Sequence, residues 1–189
     1  MQPGETVAVF GAGGVGINVI QAAALAGAVN VIAVDVHESK LAHAKAFGAT
    51  HTVNSADLEP AGAIRELTHG RGVDFAFDVV GVPAVTRQAY DSLARLGTLV
   101  VIGIAPTGAE AAIPMTSLMY EERTIIGSLY GSGTPRSDIL KLVDLYRARK
   151  IKLDELLTRA YPLAQINEAY DALGRGEVLR SVIEFQDDG

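Results

Sequence analysis

Val7-Ala8-Val9-Phe10-Gly11-Ala12-Gly13-Gly14-Val15-Gly16 is the run that decides the fold. A short apolar segment ends at a glycine, as a strand buried on both faces would. Residues 14–27 are small and apolar at helical spacing, with Val15, Val19, Ala22 and Ala26 expected on the buried stripe. Val31-Ile32-Ala33-Val34 gives a second buried strand, closed by Asp35. Strand, helix and strand within about thirty residues make a βαβ unit, whose crossover is almost always right-handed.

The alternation continues outward from that unit. Residues 40–47 read as a helix with Leu41, Ala44 and Phe47 inward and Gly48 as its stop. Residues 50–53 read as an edge strand, 60–68 as a helix, and 74–80 as a strand entered from the turn His69-Gly70-Arg71-Gly72. Pro83 suits a first helical turn. Val85, Ala89 and Leu93 then recur every four residues until Gly97 closes that helix. Residues 98–104 are the clearest buried strand, and residues 124–130 read as a sixth. Six strands with interleaved helices predict an α/β protein of the Rossmann type, a doubly wound parallel sheet with helices on both faces.

The last third departs from this pattern. Residues 137–150 read as an amphipathic helix with Ile139, Leu142, Val143 and Tyr146 on its core face, and a second helix carries Ile166, Ala169, Tyr170 and Leu173. Residues 157–161 and 181–185 are short strand candidates with no obvious partner in the parallel sheet. We therefore expect a sheet domain over residues 1–133 and a C-terminal return segment over 134–189 that packs elsewhere.

Composition bounds the function. The chain has 189 residues, 49% hydrophobic and 20% charged, enough for one ordinary core and marginal for two. Its net charge of -6 gives no overall basic field for nucleic acid or acidic membrane. The absence of cysteine excludes disulfides, thiolate nucleophiles and cysteine-based zinc sites within these residues. Neither a leader-like segment nor a clean apolar stretch of about twenty residues is visible, so a cytoplasmic protein is expected.

The chemistry gathers at the glycine run. Gly11 permits a tight turn, Gly13 lets the backbone approach a pyrophosphate, and Gly16 is expected to let the helix pack on the sheet. The helix N-terminus stabilises phosphate charge. Asp35 can accept hydrogen bonds from an adenosine ribose diol and would repel a 2′-phosphate, which favours NAD over NADP. Lys40 lies where a strand-to-helix loop would bring it near that ribose, and reads equally as a solvated surface lysine. The strand ends Val79-Val80-Gly81 and Ile102-Gly103-Ile104 should face the same crevice, where Gly81 and Gly103 would let a nicotinamide ribose approach.

With these residues in place, the chain resembles the C-terminal part of a zinc-type medium-chain alcohol dehydrogenase, close to the class that includes glutathione-dependent formaldehyde dehydrogenase. The matching runs are residues 8–16, Val34-Asp35-Val36, residues 72–81, Ile166-Asn167-Glu168-Ala169-Tyr170, and the tail Gly176-Glu177-Val178-Leu179-Arg180-Ser181-Val182-Ile183. The resemblance implies that Asp35 and Lys40 hold the adenosine ribose, that Gly14 and Val15 sit under the pyrophosphate, and that Arg180 reaches it from the tail. It also implies that Ile102 and Ile104 bracket the nicotinamide, and that two copies pair through residues 124–130. Such an open apolar edge needs a cover on physical grounds alone.

The family also carries an N-terminal GroES-like domain with the catalytic zinc ligands. This chain starts at the first nucleotide-domain strand, and His37, His43, His51 and His69 fall in predicted loops or solvent faces. It therefore reads as a truncated member, expected to bind NAD(H) without oxidising alcohol, with no catalytic or metal-ligating residue of its own. Residues 157–161 and 181–185 are then expected to repack, swap between protomers or lie disordered. Three other readings stay open: an NADPH-dependent quinone or enoyl reductase of the same superfamily, an S-adenosylmethionine methyltransferase, and a non-catalytic NAD sensor.

Overall fold

The computed structural model describes residues 1–185. Its main sheet contains β1 (Thr6–Phe10), β2 (Asn30–Asp35), β3 (His51–Asn54), β4 (Val73–Asp78), β5 (Leu93–Val101) and β6 (Thr124–Gly127). They are all parallel, in the order β3-β2-β1-β4-β5-β6. The order reverses beside β1, so a crevice opens at the carboxyl ends of β1 and β4. The expected doubly wound sheet is present.

Two cores form on its two faces. The period of two along β1 sends Val7 and Val9 one way and Ala8 and Phe10 the other. Val7 and Val9 pack with Ile17 and Ile20 of α1 (Gly14–Leu25) and Leu41 of α2 (Glu38–Ala46). Ala8 and Phe10 pack with Ile64 of α3 (Pro60–Leu67) and Tyr90 of α4 (Pro83–Asp91).

Several boundaries differ from the sequence reading. α1 turns Ile17, Ile20 and Ala23 inward, so the stripe of Val15, Val19, Ala22 and Ala26 borders an open groove instead. A helix that is small and apolar all round offers two stripes, and the branched isoleucines fill the sheet-facing one. α4 ends at Asp91, and Leu93 opens β5 opposite Val73. The buried Arg123 guanidinium fixes that junction, donating to the carbonyls of Tyr90 (3.0 Å) and Leu93 (2.7 Å). Gly97 caps no helix. It serves the irregularity in β5, where a Cβ would fall 2.9 Å from the Ala94 carbonyl.

β4 and β5 end at Asp78 and Val101, before Val80 and Ile104, and β6 stops at Gly127. α5 (Met115–Tyr120) and α6 (Pro135–Arg147) bury no residue. The expected core face of α6 lies open, with Ile139 57% exposed. β7 (Leu157–Pro162) and β8 (Arg180–Glu184) pair in parallel with each other, joined through α7 (Ile166–Gly174). That corrects the expectation that they repack, swap or lie disordered. Each supplies the other's backbone ladder, so neither needs a partner from the main sheet. Phe185 lies just beyond β8. Leu156 and Leu179 reach back into the core beside α1 and α2, and Gln21 exchanges hydrogen bonds with the backbone of Lys152.

Candidate functional site

A cleft of about 380 Å³ opens at the crevice. Gly11, Gly13, Gly14, Val15 and Gly16 line it from one side, Asp35, Val36, His37 and Lys40 from another, and Val79 and Val80 close it.

The glycine run is shaped by its own backbone. Gly11 takes the left-handed φ of +97° that a tight turn needs. A Cβ on Gly16 would fall 1.7 Å from the Gly11 carbonyl oxygen. Gly16, in α1, therefore lets the helix close on the chain leaving β1 and, with Val79 Cγ2 3.3 Å from the same point, pack against the sheet as expected. A Cβ on Gly13 would meet nothing within 4 Å, so at this point the loop leaves an open cradle. α1 begins there without a side-chain cap and without an acidic residue in its first turn. Its first backbone N–H groups and the positive end of its dipole are uncompensated and face the cradle, an arrangement suited to an anion.

Asp35 is more than a solvated strand end. It is buried, and its carboxylate accepts the N–H of Ala12 (2.8 Å) and of His37 (3.0 Å). The end of β2 is thus tied to the glycine loop, and the carboxylate keeps accepting capacity toward the cleft. Lys40, in the first turns of α2, is half-buried at the cleft wall and in no ion pair among the described residues. The turn after α7 lies against it, since a Cβ on Gly176 would come 3.1 Å from both Lys40 Cε and His37 Nε2.

Arg180 and Ile102 line the neighbouring groove of about 650 Å³ along α1, together with Val15, Val19 and Val100. The Arg180 guanidinium lies beside the loop, because a Cβ on Gly14 would come 3.8 Å from its Nε and Nη2. Gly81, Gly103 and Ile104 line neither space, and Ile104 is 89% exposed. The two glycines face each other: a Cβ on Gly103 would fall 2.1 Å from the Gly81 nitrogen. Their missing side chains first serve the contact between the two strand-end loops.

Sequence reasoning missed His37 as a wall residue, along with Ser55, Val85 and Gln88. Ser55 follows the end of β3, and a ligand at a switch point collects strand ends, so that rule could have found it. Val85 and Gln88 lie on α4 and had no sequence signal. Among the described residues, no group of three or more His, Asp or Glu side chains is placed to hold a metal ion.

The family model for zinc-binding dehydrogenases matches residues 14–148. An NDMA-dependent alcohol dehydrogenase of Amycolatopsis methanolica is 42% identical over 97% of this chain and 50% of its own length. The crystal structure of benzyl alcohol dehydrogenase from Acinetobacter calcoaceticus superposes with a TM-score of 0.93 at 37% identity, covering 98% of this chain and 51% of that one. A protein of Sinorhizobium meliloti 1021 solved bound to NADP superposes with a TM-score of 0.84 at 28% identity, over 97% and 53% of the two chains. The chain thus spans about half the length of the relatives it matches. It belongs to the zinc-binding dehydrogenase family, and its fold is that of the family's C-terminal, nucleotide-binding part.

Proposed function

We propose that this chain binds NAD(H) as the nucleotide-binding part of a zinc-dependent alcohol dehydrogenase, which exchanges hydride between an alcohol or aldehyde and the cofactor. The observation that carries this reading is the open cradle at Gly13, ending at a buried carboxylate. The pyrophosphate lies over Gly13, Gly14 and Val15 at the uncapped start of α1, with Arg180 beside it. Asp35 receives the adenosine ribose diol and Lys40 flanks it. Ile102 and Ile104 bracket the nicotinamide, with Gly81 and Gly103 toward its ribose, while Val80 closes the cleft that holds Asp35.

Zinc does not fit these residues, which offer no thiolate and, among those described, no cluster of ligands. The chain alone binds cofactor without oxidising alcohol. The unpaired edge of β6 joins a second copy. A net charge of -6 gives no overall basic field to attract nucleic acid or acidic membrane, and we expect neither as a partner and the cytoplasm as the place of action. Among the described residues no helix is long and apolar enough to cross a membrane.

The relative bound to NADP supports a second reading, in which this cleft takes a 2′-phosphate. Calorimetric titration with NADH and NADPH separates the two. We expect NADH to bind at least about tenfold more tightly, because a 2′-phosphate would meet the Asp35 carboxylate. Asp35→Ala should weaken NADH and narrow that ratio. Tighter binding of NADPH to the unaltered chain would overturn the NAD reading.

A further inference from the structure

α7 ends in a turn that meets two conditions with one residue. Arg175 caps the helix, and Gly176 follows it at a left-handed φ of +71°. The Gly176 N–H donates to the Leu173 carbonyl (3.0 Å) and the Glu177 N–H to the Ala172 carbonyl (3.1 Å), which closes the last turn of the helix. That stop alone requires only a residue tolerant of positive φ, and asparagine is one. The second condition is space. Gly176 is buried, and a Cβ on it would come 3.0 Å from His37 Cδ2, 3.1 Å from His37 Nε2 and 3.1 Å from Lys40 Cε. Carbon atoms pack best at about 3.5–4.0 Å, so a side chain here must push its neighbours.

His37 and Lys40 stand between this turn and the cofactor. Both line the cleft with Asp35, and Gly176 does not. The His37 N–H is bound to the Asp35 carboxylate at 3.0 Å, so its backbone is fixed and its ring is the part that yields. Neither side chain forms an ion pair among the described residues, so contact with the turn sets where they stand. The turn itself is anchored on both sides. α7 precedes it, and Leu179 after it is buried beside α1 and α2. The Leu179 carbonyl oxygen lies 3.3 Å from where a Gly14 Cβ would be, which keeps the tail against the glycine loop. A side chain at 176 therefore displaces the His37 ring before it displaces the turn.

We propose that Gly176 is a positioning residue for the adenosine end of the cofactor; this rests on the NAD(H) reading of the cleft. Its bare Cα seats the turn after α7 against His37 and Lys40 and holds both beside Asp35. Gly176 touches no cofactor atom and acts through those two side chains. A larger residue drives them into the space of the adenosine ribose, and NADH and ADP lose affinity together because both carry that ribose.

The test is a double-mutant cycle, read by calorimetry with NADH and with ADP. Gly176→Asn keeps the helix stop and adds a side chain. It should weaken both ligands about fivefold in the otherwise unaltered chain. His37→Ala removes the ring that is pushed, while the flexible stem of Lys40 can swing aside. In that background the same Gly176→Asn change should cost less than about twofold. A residue that only ends α7 would cost the same factor in both backgrounds.

Equal losses in the two backgrounds, or an NADH affinity unchanged by Gly176→Asn, would overturn the role. A loss for NADH with ADP intact overturns it too, because the effect would then lie beyond the adenosine end. If Gly176→Asn does not fold, the smaller Gly176→Ala is carried through the same cycle and the same outcomes decide. An unaltered chain that binds neither ADP nor NADH overturns the cofactor reading itself. That result is distinct from one in which both bind and the two backgrounds respond alike.

Discussion

Towards β3 the sheet is closed on both faces by the chain's own helices, with Leu41 and Ile64 fully buried; towards β6 it ends with Ile126 46% exposed and α6 covering nothing. The cofactor cleft belongs to the first half and the open edge to the second. Cofactor binding and assembly should therefore fail separately. The sharpest attempt to break this division is a pair of glycine substitutions. Gly16→Val places side-chain atoms on the Gly11 carbonyl, and we expect it to abolish NADH binding, a loss beyond about a hundredfold by calorimetry. Gly127→Ala, in β6, adds a methyl group that meets nothing within 4 Å and should leave NADH affinity unchanged. If both substitutions weaken NADH alike, the two halves are coupled and the comparison fails.

The reverse experiment starts from the open edge. Ile126→Lys puts a charge on an exposed edge strand, a device that discourages strand-to-strand pairing. We expect sedimentation to show a dimer for the unaltered chain and a monomer for the variant, with NADH affinity within about twofold. A monomer in both cases would remove the β6 pairing and leave the cleft untouched. A fall in NADH affinity with the mass would mean that the second copy supports the site.

The same division governs what can be read from the residues alone. β1, α1, β2 and Asp35 are legible because strand period, glycine spacing and the acidic strand end are all local signals. The inward face of α1 is not, because its alanines and valines leave two apolar stripes and only the shape of the sheet chooses between them. The start of β5 escapes for a different reason. Leu93 continues the four-residue rhythm of α4, and the break is imposed by Arg123 and Val73, some twenty to thirty positions away in the chain. Asp78 reads as one more residue of a strand run, yet its backbone carbonyl accepts from Ile102 and Gly103, beyond the next helix and strand. The open faces of α6 and β6 are expected from sequence to be covered by something. Local sequence could not say that the described chain leaves them bare.

The smallest effect concerns acid, and it falls on α6 in the bare half and on the turn after α7 beside the cleft. Asp138, near the start of α6, is held below the ordinary carboxylate range chiefly by its hydrogen bond from Lys141, helped by the Thr134 N–H. Glu177, in the turn after α7, is lowered chiefly by its hydrogen bonds from Arg175. A carboxyl group whose folded pKa is depressed adds stability above its unfolded pKa, and that contribution disappears as pH falls through the lower folded value. The window therefore lies at and below the usual range for carboxylates, well away from neutrality. Both groups are exposed on the surface, where solvent and salt screen such pairs and leave little net stabilisation. NMR titration should place both carboxyl groups below their reference values at low salt and closer to them at about 1 M salt. The urea midpoint should scarcely change between about pH 7 and 5, where both remain ionised. A large loss of stability in that interval would show that α6 and the turn after α7 depend on these pairs, and both segments would then be held by charge more than their exposed contacts suggest.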